Sequence, residues 1–201
     1  MRVLSAFAAL TLIGTATHVQ AAVLTYDDIG VPGTYIPSSN SGFVEQGFQY
    51  SINMSVIDIS ASSPWASDGP AYSGNYAALN NYGGAAVIGK FGGGTFSFDS
   101  TEIKAWGGGI DNITITGYLQ GNVVGIDSLN GVGSAWTLLS PDFASVDQVN
   151  ISGGLFLLDN TAVNTSATPL PAALPLFATG LGAMGFLARR RKRKSGAAIA
   201  A

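Results

Sequence analysis

The side chains that most enzymes use for nucleophilic or acid–base chemistry are scarce in this sequence. Its 201 residues contain no cysteine and one histidine, His18, which lies in an N-terminal segment that we expect to be removed. The remaining chain therefore lacks the residues for a Ser-His-Asp triad, a cysteine nucleophile or an imidazole zinc site. Two carboxylates could hydrolyse a glycoside, but Glu45 and Glu102 lie in predicted strands without a paired-acid motif. The sequence therefore predicts that the protein is not an enzyme.

Two pairs of polar side chains could bind a metal ion. Asp27 and Asp28 end the first predicted strand, and Asp159 and Asn160 end the last. If the terminal strands lie side by side, these oxygens could converge on one calcium ion, which prefers such ligands. No EF-hand or calcium-binding repeat supports this hypothesis, and solvated turn carboxylates are the alternative. Structural calcium is the only cofactor that the sequence suggests.

Aromatic side chains in polar segments are the candidates for binding an organic ligand. Trp65 lies in the segment SSPWASDGP, and Tyr72 and Tyr82 follow among Gly and Asn. Flat aromatic faces suit the apolar side of sugar rings, so we select these three residues as candidate glycan-binding residues, with burial as the alternative. Trp106 and Trp136 lie in strand patterns and are predicted to be core residues.

The charge of the chain is distributed very unevenly. All twelve acidic residues and only two basic ones, Lys90 and Lys104, lie between the terminal segments, so this part carries a formal net charge of −10. Nucleic acid binding requires a basic surface and is therefore not expected. An acidic surface instead suits divalent cations and uncharged or cationic partners.

Short apolar runs that alternate with polar residues indicate β-strands between residues 22 and 160. The clearest is NITITGYL, residues 112–119, followed by the turn residues Gly121 and Asn122 and a second alternating run. Many short strands at close spacing predict one all-β domain, an antiparallel β-sandwich of the jelly-roll-like type. The small and polar residues 161–168 predict a flexible stalk after it.

Residues 1–21 have the layout of a secretory signal peptide. Arg2 precedes an apolar run, and Val19, Gln20 and Ala21 match a small-residue cleavage site. We predict cleavage after Ala21, with cleavage after Ala22 as the alternative. The N-terminus therefore predicts export.

The C-terminal segment has the layout of a membrane-spanning helix. Residues 172–188 carry no charge, and at about 1.5 Å per residue they extend roughly 25 Å, near the lower limit for a bilayer core. A basic cluster follows and favours the cytoplasmic side, so the rest of the chain is predicted to lie across the membrane. The cluster consists of Arg189, Arg190, Arg191, Lys192, Arg193 and Lys194.

A proline motif precedes this helix and consists of Pro169, Leu170, Pro171 and Ala172. The motif, the short apolar helix and the basic cluster, in this order, resemble the PEP-CTERM class of bacterial sorting signals, in its VPLPA variant. Thr168 stands where valine is usual, and residues 195–201 extend past the cluster as a predicted disordered tail. The resemblance implies that an exosortase-type membrane peptidase processes the chain at the inner membrane and that the final form is at the cell surface or extracellular.

Parts of the predicted domain resemble the jelly-roll ectodomains that proteins with this sorting signal often carry. The matching segments are NYA at residues 75–77, FSFDS at 96–100, WTL at 136–138 and FLLDN at 156–160. Such ectodomains are similar in layout to carbohydrate-binding modules, so the resemblance implies a sandwich that associates with exopolysaccharide. A structural matrix protein with no defined ligand is the alternative, and a glycosidase that uses Glu45 or Glu102 is a third hypothesis.

Overall fold

Two antiparallel β-sheets form the part of the chain that the computed structural model describes, residues 19–37 and 41–166. The larger sheet contains β1 (Val19–Leu24), β2 (Tyr35–Ile36), β5 (Met54–Asp58), β6 (Tyr76–Asn80), β8 (Phe96–Ala105), β11 (Thr137–Leu139), β12 (Phe143–Val146) and β14 (Phe156–Ser166). The smaller sheet contains β3 (Phe43–Glu45), β4 (Phe48–Tyr50), β7 (Ala86–Lys90), β9 (Asp111–Leu119), β10 (Asn122–Val132) and β13 (Gln148–Ser152).

Strands that follow one another in the chain often belong to different sheets. The larger sheet has the order β11-β8-β14-β6-β5-β2, with β1 paired to β14 and β12 paired to β8. The smaller sheet has the order β10-β9-β13-β7-β4-β3. The predicted all-β antiparallel sandwich is therefore confirmed. Helix in the described residues is limited to two 3₁₀ turns, Ala66–Asp68 and Trp106–Gly108, and none there is long and apolar enough to cross a bilayer.

The main core lies between the sheets because inward side chains alternate with outward ones along each strand. In β9, Ile113 and Ile115 are fully buried while Thr114 and Thr116 alternate with them on the outer face. The rings of Phe48 in the smaller sheet and Phe96 in the larger sheet meet edge to face, with centroids 5.1 Å apart. The alternation of apolar and polar residues in the sequence thus reflects the packing of two sheets around one core.

A second apolar cluster covers the outer face of the larger sheet. Its buried members are Ile57, Ile59, Ala71, Ala77, Leu79 and Leu157, with Tyr35, Trp65, Trp106 and Trp136 packed against them. The long β5–β6 connection lies across this face, since Asp68 accepts hydrogen bonds from Lys104 at the end of β8 and from the Gly107 amide. This part of the larger sheet is therefore covered on both faces, which is why all five residues of β5 are buried.

The structure corrects three details of the sequence prediction. Thr161–Ser166, predicted as a stalk, belongs to β14 and pairs with β1, because Thr161 and Val163 alternate inward and are buried. Trp106 and Trp136 are not in the main core but lie partly buried on the outer face of the larger sheet. The β9–β10 turn uses positive backbone φ angles at Gln120 and Gly121, one residue earlier than predicted.

Several predictions concern residues at the ends of the chain. The predicted cleavage positions Ala21 and Ala22 lie within β1, where they pair with Asn164 and Val163 of β14. The proline motif, the predicted membrane helix, the basic cluster and the tail lie outside the described residues, as do residues 1–18. These assignments stay predictions.

Candidate functional site

An exposed aromatic patch lies where the β5–β6 connection passes the end of β11. The ring of Tyr72 meets the ring of Trp136 edge to face, with centroids 6.3 Å apart and an interplanar angle of 76°. Tyr72 is 51% exposed, and the indole Nε1 of Trp136 donates to the carbonyl of Pro70 at 3.1 Å. We call Tyr72 and Trp136 the aromatic patch. Its two rings are held by packing and by a backbone hydrogen bond before any ligand arrives.

The side chain of Lys104 packs against the Trp136 ring of this patch. It is nearly fully buried, its Nζ lies 4.9 Å from the centroid of the Trp136 ring, and the same Nζ donates to the backbone carbonyl of Asp68. Burial lowers the pKa of Lys104, while the nearby Asp68 carboxylate opposes that shift. The amine therefore joins β8, the β5–β6 connection and the Trp136 ring through a cation–π contact and a hydrogen bond.

The three aromatic residues selected from the sequence do not form one platform. Trp65 packs against Tyr35, with ring centroids 5.8 Å apart, and it is partly buried on the second apolar cluster. Tyr82 is 50% exposed in the β6–β7 turn, which lies at the opposite end of β6 from the β5–β6 connection. Of the three, only Tyr72 belongs to the aromatic patch. Trp136, which the sequence suggested was core, replaces Trp65 as its neighbour.

A groove on the outer face of the smaller sheet is a second candidate for ligand binding. It has a volume of about 200 Å³ and is lined by side chains that include Gln49 and Gln148, with Gly89 between their strands. Gln148 donates to the side chain of Asn150 at 2.8 Å. Most of its lining residues are polar and none is aromatic, so the groove offers hydrogen bonds without a stacking surface.

Three residues of the calcium hypothesis, Asp27, Asp159 and Asn160, contact one segment of the β5–β6 connection. Asp159 and Asn160 were predicted to end the last strand, but they lie within β14, which continues to Ser166. Asp159 Oδ2 accepts from the Ser73 amide at 2.9 Å, and Asp27 Oδ1 accepts from the Asn75 amide at 2.9 Å. The hydroxyl of Ser73 also contacts the side chain of Asn160. Two carboxylates from opposite ends of the chain thus bind the same three-residue segment of the β5–β6 connection.

Glu45 is the member of this region that sequence reasoning did not assign to it. Its Oε1 accepts from the Tyr26 amide at 2.8 Å, whereas its Oε2 is buried and has no hydrogen-bond partner. Burial raises the pKa of Glu45 to about 7, and the carboxylates of Asp28, Asp159 and Asp27 raise it further. The hydrogen bond from the Tyr26 amide lowers this pKa but does not outweigh the rise. In the sequence Glu45 only ends a short alternating run, which carries no signal of this role.

Asp159 is a second buried carboxylate with a shifted pKa. It is fully buried, and burial raises its pKa to about 6 although the amides of Ser73 and Asn160 stabilise the ionised form. The adjoining interior is polar: Tyr26 Oη lies 2.8 Å from Thr161 Oγ1 and 3.0 Å from Tyr50 Oη. The region therefore combines buried acids with hydroxyl groups, and Lys104 of the neighbouring strand β8 is bonded to Asp68 instead.

The positions of the acidic side chains bear on metal binding and on glycoside hydrolysis. Within residues 19–37 and 41–166, no three Asp, Glu, His or Cys side chains are already arranged closely enough to hold a metal ion. Glu45 lies in β3 of the smaller sheet and Glu102 in β8 of the larger sheet. The two glutamates considered for glycoside hydrolysis thus belong to different sheets.

Comparisons with known proteins give distant structural likenesses. No protein-family model matches the sequence, and no curated protein matches it. One similar solved structure is the CBM22-1–GH10 part of Clostridium thermocellum xylanase 10B in complex with xylohexaose, with 15% identity, 63% of this chain covered and a TM-score of 0.38. Another is TmCBM61 in complex with β-1,4-galactotriose, with 11% identity, 62% of this chain covered and a TM-score of 0.31. The matched region spans 27% of the first chain and 89% of the second.

Proposed function

We propose that this protein is an exported, non-catalytic component of the cell surface or extracellular matrix that associates with neutral polysaccharide through the aromatic patch. The observation that supports the proposal is the half-exposed Tyr72 ring, held edge-on against a Trp136 whose indole N–H is already bound to Pro70. An aromatic face that is fixed in advance loses little conformational entropy when a sugar ring stacks on it.

The charge of the domain favours a neutral ligand over an acidic one. The part of the sequence between the terminal segments carries a formal charge of −10, which repels uronic acid and sulfated chains at long range. Lys104, the basic residue next to the patch, is buried under Trp136 and bonded to Asp68, so it is not exposed to attract an anion. Neutral hexose or pentose polymers are therefore the ligand class of this proposal.

Delivery to the surface is the second part of the proposal. The signal peptide, the proline motif Pro169 to Ala172 and the basic cluster Arg189 to Lys194 support export, an inner-membrane intermediate and processing by an exosortase-type peptidase. Mass spectrometry of the surface form in its native host tests this. A C-terminus near Pro171 and Ala172 is expected, and a surface form that keeps the peptide with Arg189 contradicts it.

Glycan binding is tested by affinity electrophoresis of the full chain in detergent through gels that contain a neutral polysaccharide, for example a mixed-linkage β-glucan, a xylan or a galactan. Retardation by at least one neutral polymer is expected, and Tyr72→Ala should abolish it. Tyr82→Ala is the matched control, because Tyr82 is equally exposed but lies outside the aromatic patch.

The outcomes separate the alternative functions. Loss of retardation in Gln148→Ala but not in Tyr72→Ala would move the binding site to the groove on the smaller sheet. No retardation by any polymer, including the exopolysaccharide of the host, would favour a structural matrix protein without a ligand. Release of reducing sugar that depends on Glu45 or Glu102 would favour the glycosidase hypothesis.

A further inference from the structure

The groove on the outer face of the smaller sheet is formed where a glycine separates two glutamines. Gly89 of β7 is the register partner of both Gln49 of β4 and Gln148 of β13. Neighbouring strands lie about 4.8 Å apart, so the backbones of the two glutamines are roughly 10 Å apart with no side chain between them. The adjacent residues Ile88 and Val149 are fully buried in the main core, so the glutamines face outward. The absence of a side chain at Gly89 therefore opens the groove toward solvent.

The amide side chains of the groove keep hydrogen-bonding groups free for a ligand. Gln148 Nε2 donates to Asn150 Oδ1 at 2.8 Å, which leaves Gln148 Oε1 as an acceptor and Asn150 Nδ2 as a donor. Gln49 is exposed, and its side chain forms no hydrogen bond with another of the described residues. A carboxamide both donates and accepts, as a sugar hydroxyl does. The groove therefore offers paired donors and acceptors of the kind that bind sugar hydroxyls.

The charge and the size of the groove limit what it can bind. Lys90 and Asp147 both line it, so one positive and one negative group balance each other. The volume of about 200 Å³ is below the roughly 300–1,000 Å³ of sites for drug-sized ligands. The groove therefore suits a short, uncharged unit such as one sugar ring of a neutral polymer.

The groove and the aromatic patch lie on opposite sides of the sandwich. Trp136 packs on the outer face of the larger sheet, whereas Gln49 and Gln148 lie on the outer face of the smaller sheet. Stacked sheets are about 10 Å apart, and the main core fills the space between them. One polysaccharide segment cannot contact both faces without passing around the edge of the domain. Two separate segments can occupy the two faces at the same time.

We propose that the groove binds a second segment of neutral polysaccharide, so that one domain cross-links two polymer chains. The aromatic patch supplies the first contact, so the cross-link rests on the proposed function. The groove lacks a stacking ring and is therefore the weaker contact of the two. Once the patch holds the protein within a polymer network, the high local concentration of chains favours occupancy of the groove.

Low-shear viscosity tests the cross-link. The full chain, with detergent in excess so that each micelle holds one chain, is added to solutions of mixed-linkage β-glucan, xylan and galactan. With the polymer that retards the protein in gels, the natural protein should raise the viscosity about twofold or more, because bridges join the polymer chains. Tyr72→Ala should neither be retarded nor raise the viscosity.

A double variant isolates the groove. Gln49→Ala with Gln148→Ala keeps the aromatic patch, so it should remain retarded in gels but lose the rise in viscosity. Circular dichroism during heating checks that it folds like the natural protein. Asn122→Ala is the matched control, because Asn122 is an exposed amide of the same sheet that does not line the groove. It should keep both the retardation and the rise in viscosity.

The outcomes separate the cross-link from the proposed function. Retardation of the natural protein without any rise in viscosity would overturn the cross-link and leave polysaccharide binding by the aromatic patch intact. An equal rise with the natural protein and the double variant would also overturn it, since the bridges would then not use the groove. Failure of every polymer to retard the natural protein would contradict the proposed function itself and the cross-link with it.

Discussion

The carboxylate of Asp159 accepts a hydrogen bond from the backbone amide of Ser73 at 2.9 Å, and this bond joins the last strand to the connection that carries Tyr72. Asp27, from the other end of the domain, binds the amide of Asn75 in the same segment. The first and last parts of the folded domain therefore hold the segment Ser73 to Asn75, which directly follows the candidate ligand-binding ring. One short stretch of backbone thus links the carboxylates of Asp27 and Asp159 to the aromatic patch.

Replacement of Asp159 tests this link. Asp159→Asn keeps one carbonyl oxygen but cannot accept from both the Ser73 and the Asn160 amides, so one partly buried amide loses its partner. We expect a loss of about 1–3 kcal/mol in the free energy of unfolding, measured by urea titration. The same variant should bind polysaccharide more weakly in affinity electrophoresis because the segment around Tyr72 loosens. Unchanged retardation would show that the aromatic patch does not depend on Asp159.

Gly74 tests how closely Asp27 holds the same segment. Its φ is +59°, and an added Cβ would overlap the carboxylate of Asp27. Gly74→Ala should therefore displace Asp27 from the Asn75 amide and cost more than about 2 kcal/mol in unfolding free energy. Gly33→Ala is the control, because Gly33 has a similar φ of +69° but nothing within 4 Å of the added atom. It should cost only about 1 kcal/mol, the strain of a left-handed backbone conformation. Equal costs in the two variants would argue against a close contact between Asp27 and the backbone at Gly74.

The cation-free protein should lose stability as the pH rises from about 4 to about 8. The pKa values of Glu45 and Asp159 are raised to about 7 and about 6, above their unfolded values near 4, so the native state binds more protons in this window. The stabilisation by these protons is complete below the unfolded pKa and is lost as the pH passes through the folded pKa. Melting midpoints measured in EDTA should fall accordingly.

Two variants check the origin of that pH dependence. Glu45→Gln should flatten the fall, because the amide does not titrate. Asp58→Asn should leave the slope between pH 5 and 8 unchanged. Burial acts to raise the pKa of Asp58, but hydrogen bonds from Gly33 and Ser60 outweigh it and lower the pKa, so Asp58 titrates below this window. A midpoint that rises with pH in EDTA would contradict the assignment.

Truncation tests where the folded domain ends. A chain that stops at residue 160 lacks the half of β14 that pairs with β1 and β8, including the buried Thr161 and Val163. We expect it to be unfolded or insoluble, while a chain that stops at Ser166 should unfold cooperatively. Circular dichroism during heating distinguishes the two, and a cooperative transition in the shorter chain would restore the stalk interpretation.

The sandwich could be predicted because its signals are local. The alternation of Ile113 and Ile115 with threonines and the turn at Gly121 lie within one hairpin, and the structure reproduces that hairpin with small shifts of its ends. The candidate sites were only partly predictable. Asp27 and Asp159 were grouped because strand termini often meet, but Glu45 carried no local sign of its place among them.

Composition and local pattern by themselves determined that this domain is acidic, rich in short strands and without histidine or cysteine outside its N-terminal segment. These properties depend on residue type and nearest neighbours along the chain. The tertiary structure alone decided that residues 161–166 complete a strand, that Tyr72 pairs with Trp136 rather than Trp65, and that Glu45 lies among the aspartates. Such relationships depend on which strands become neighbours, and long-range pairing across two sheets is set by the packing of the whole core rather than by any single segment.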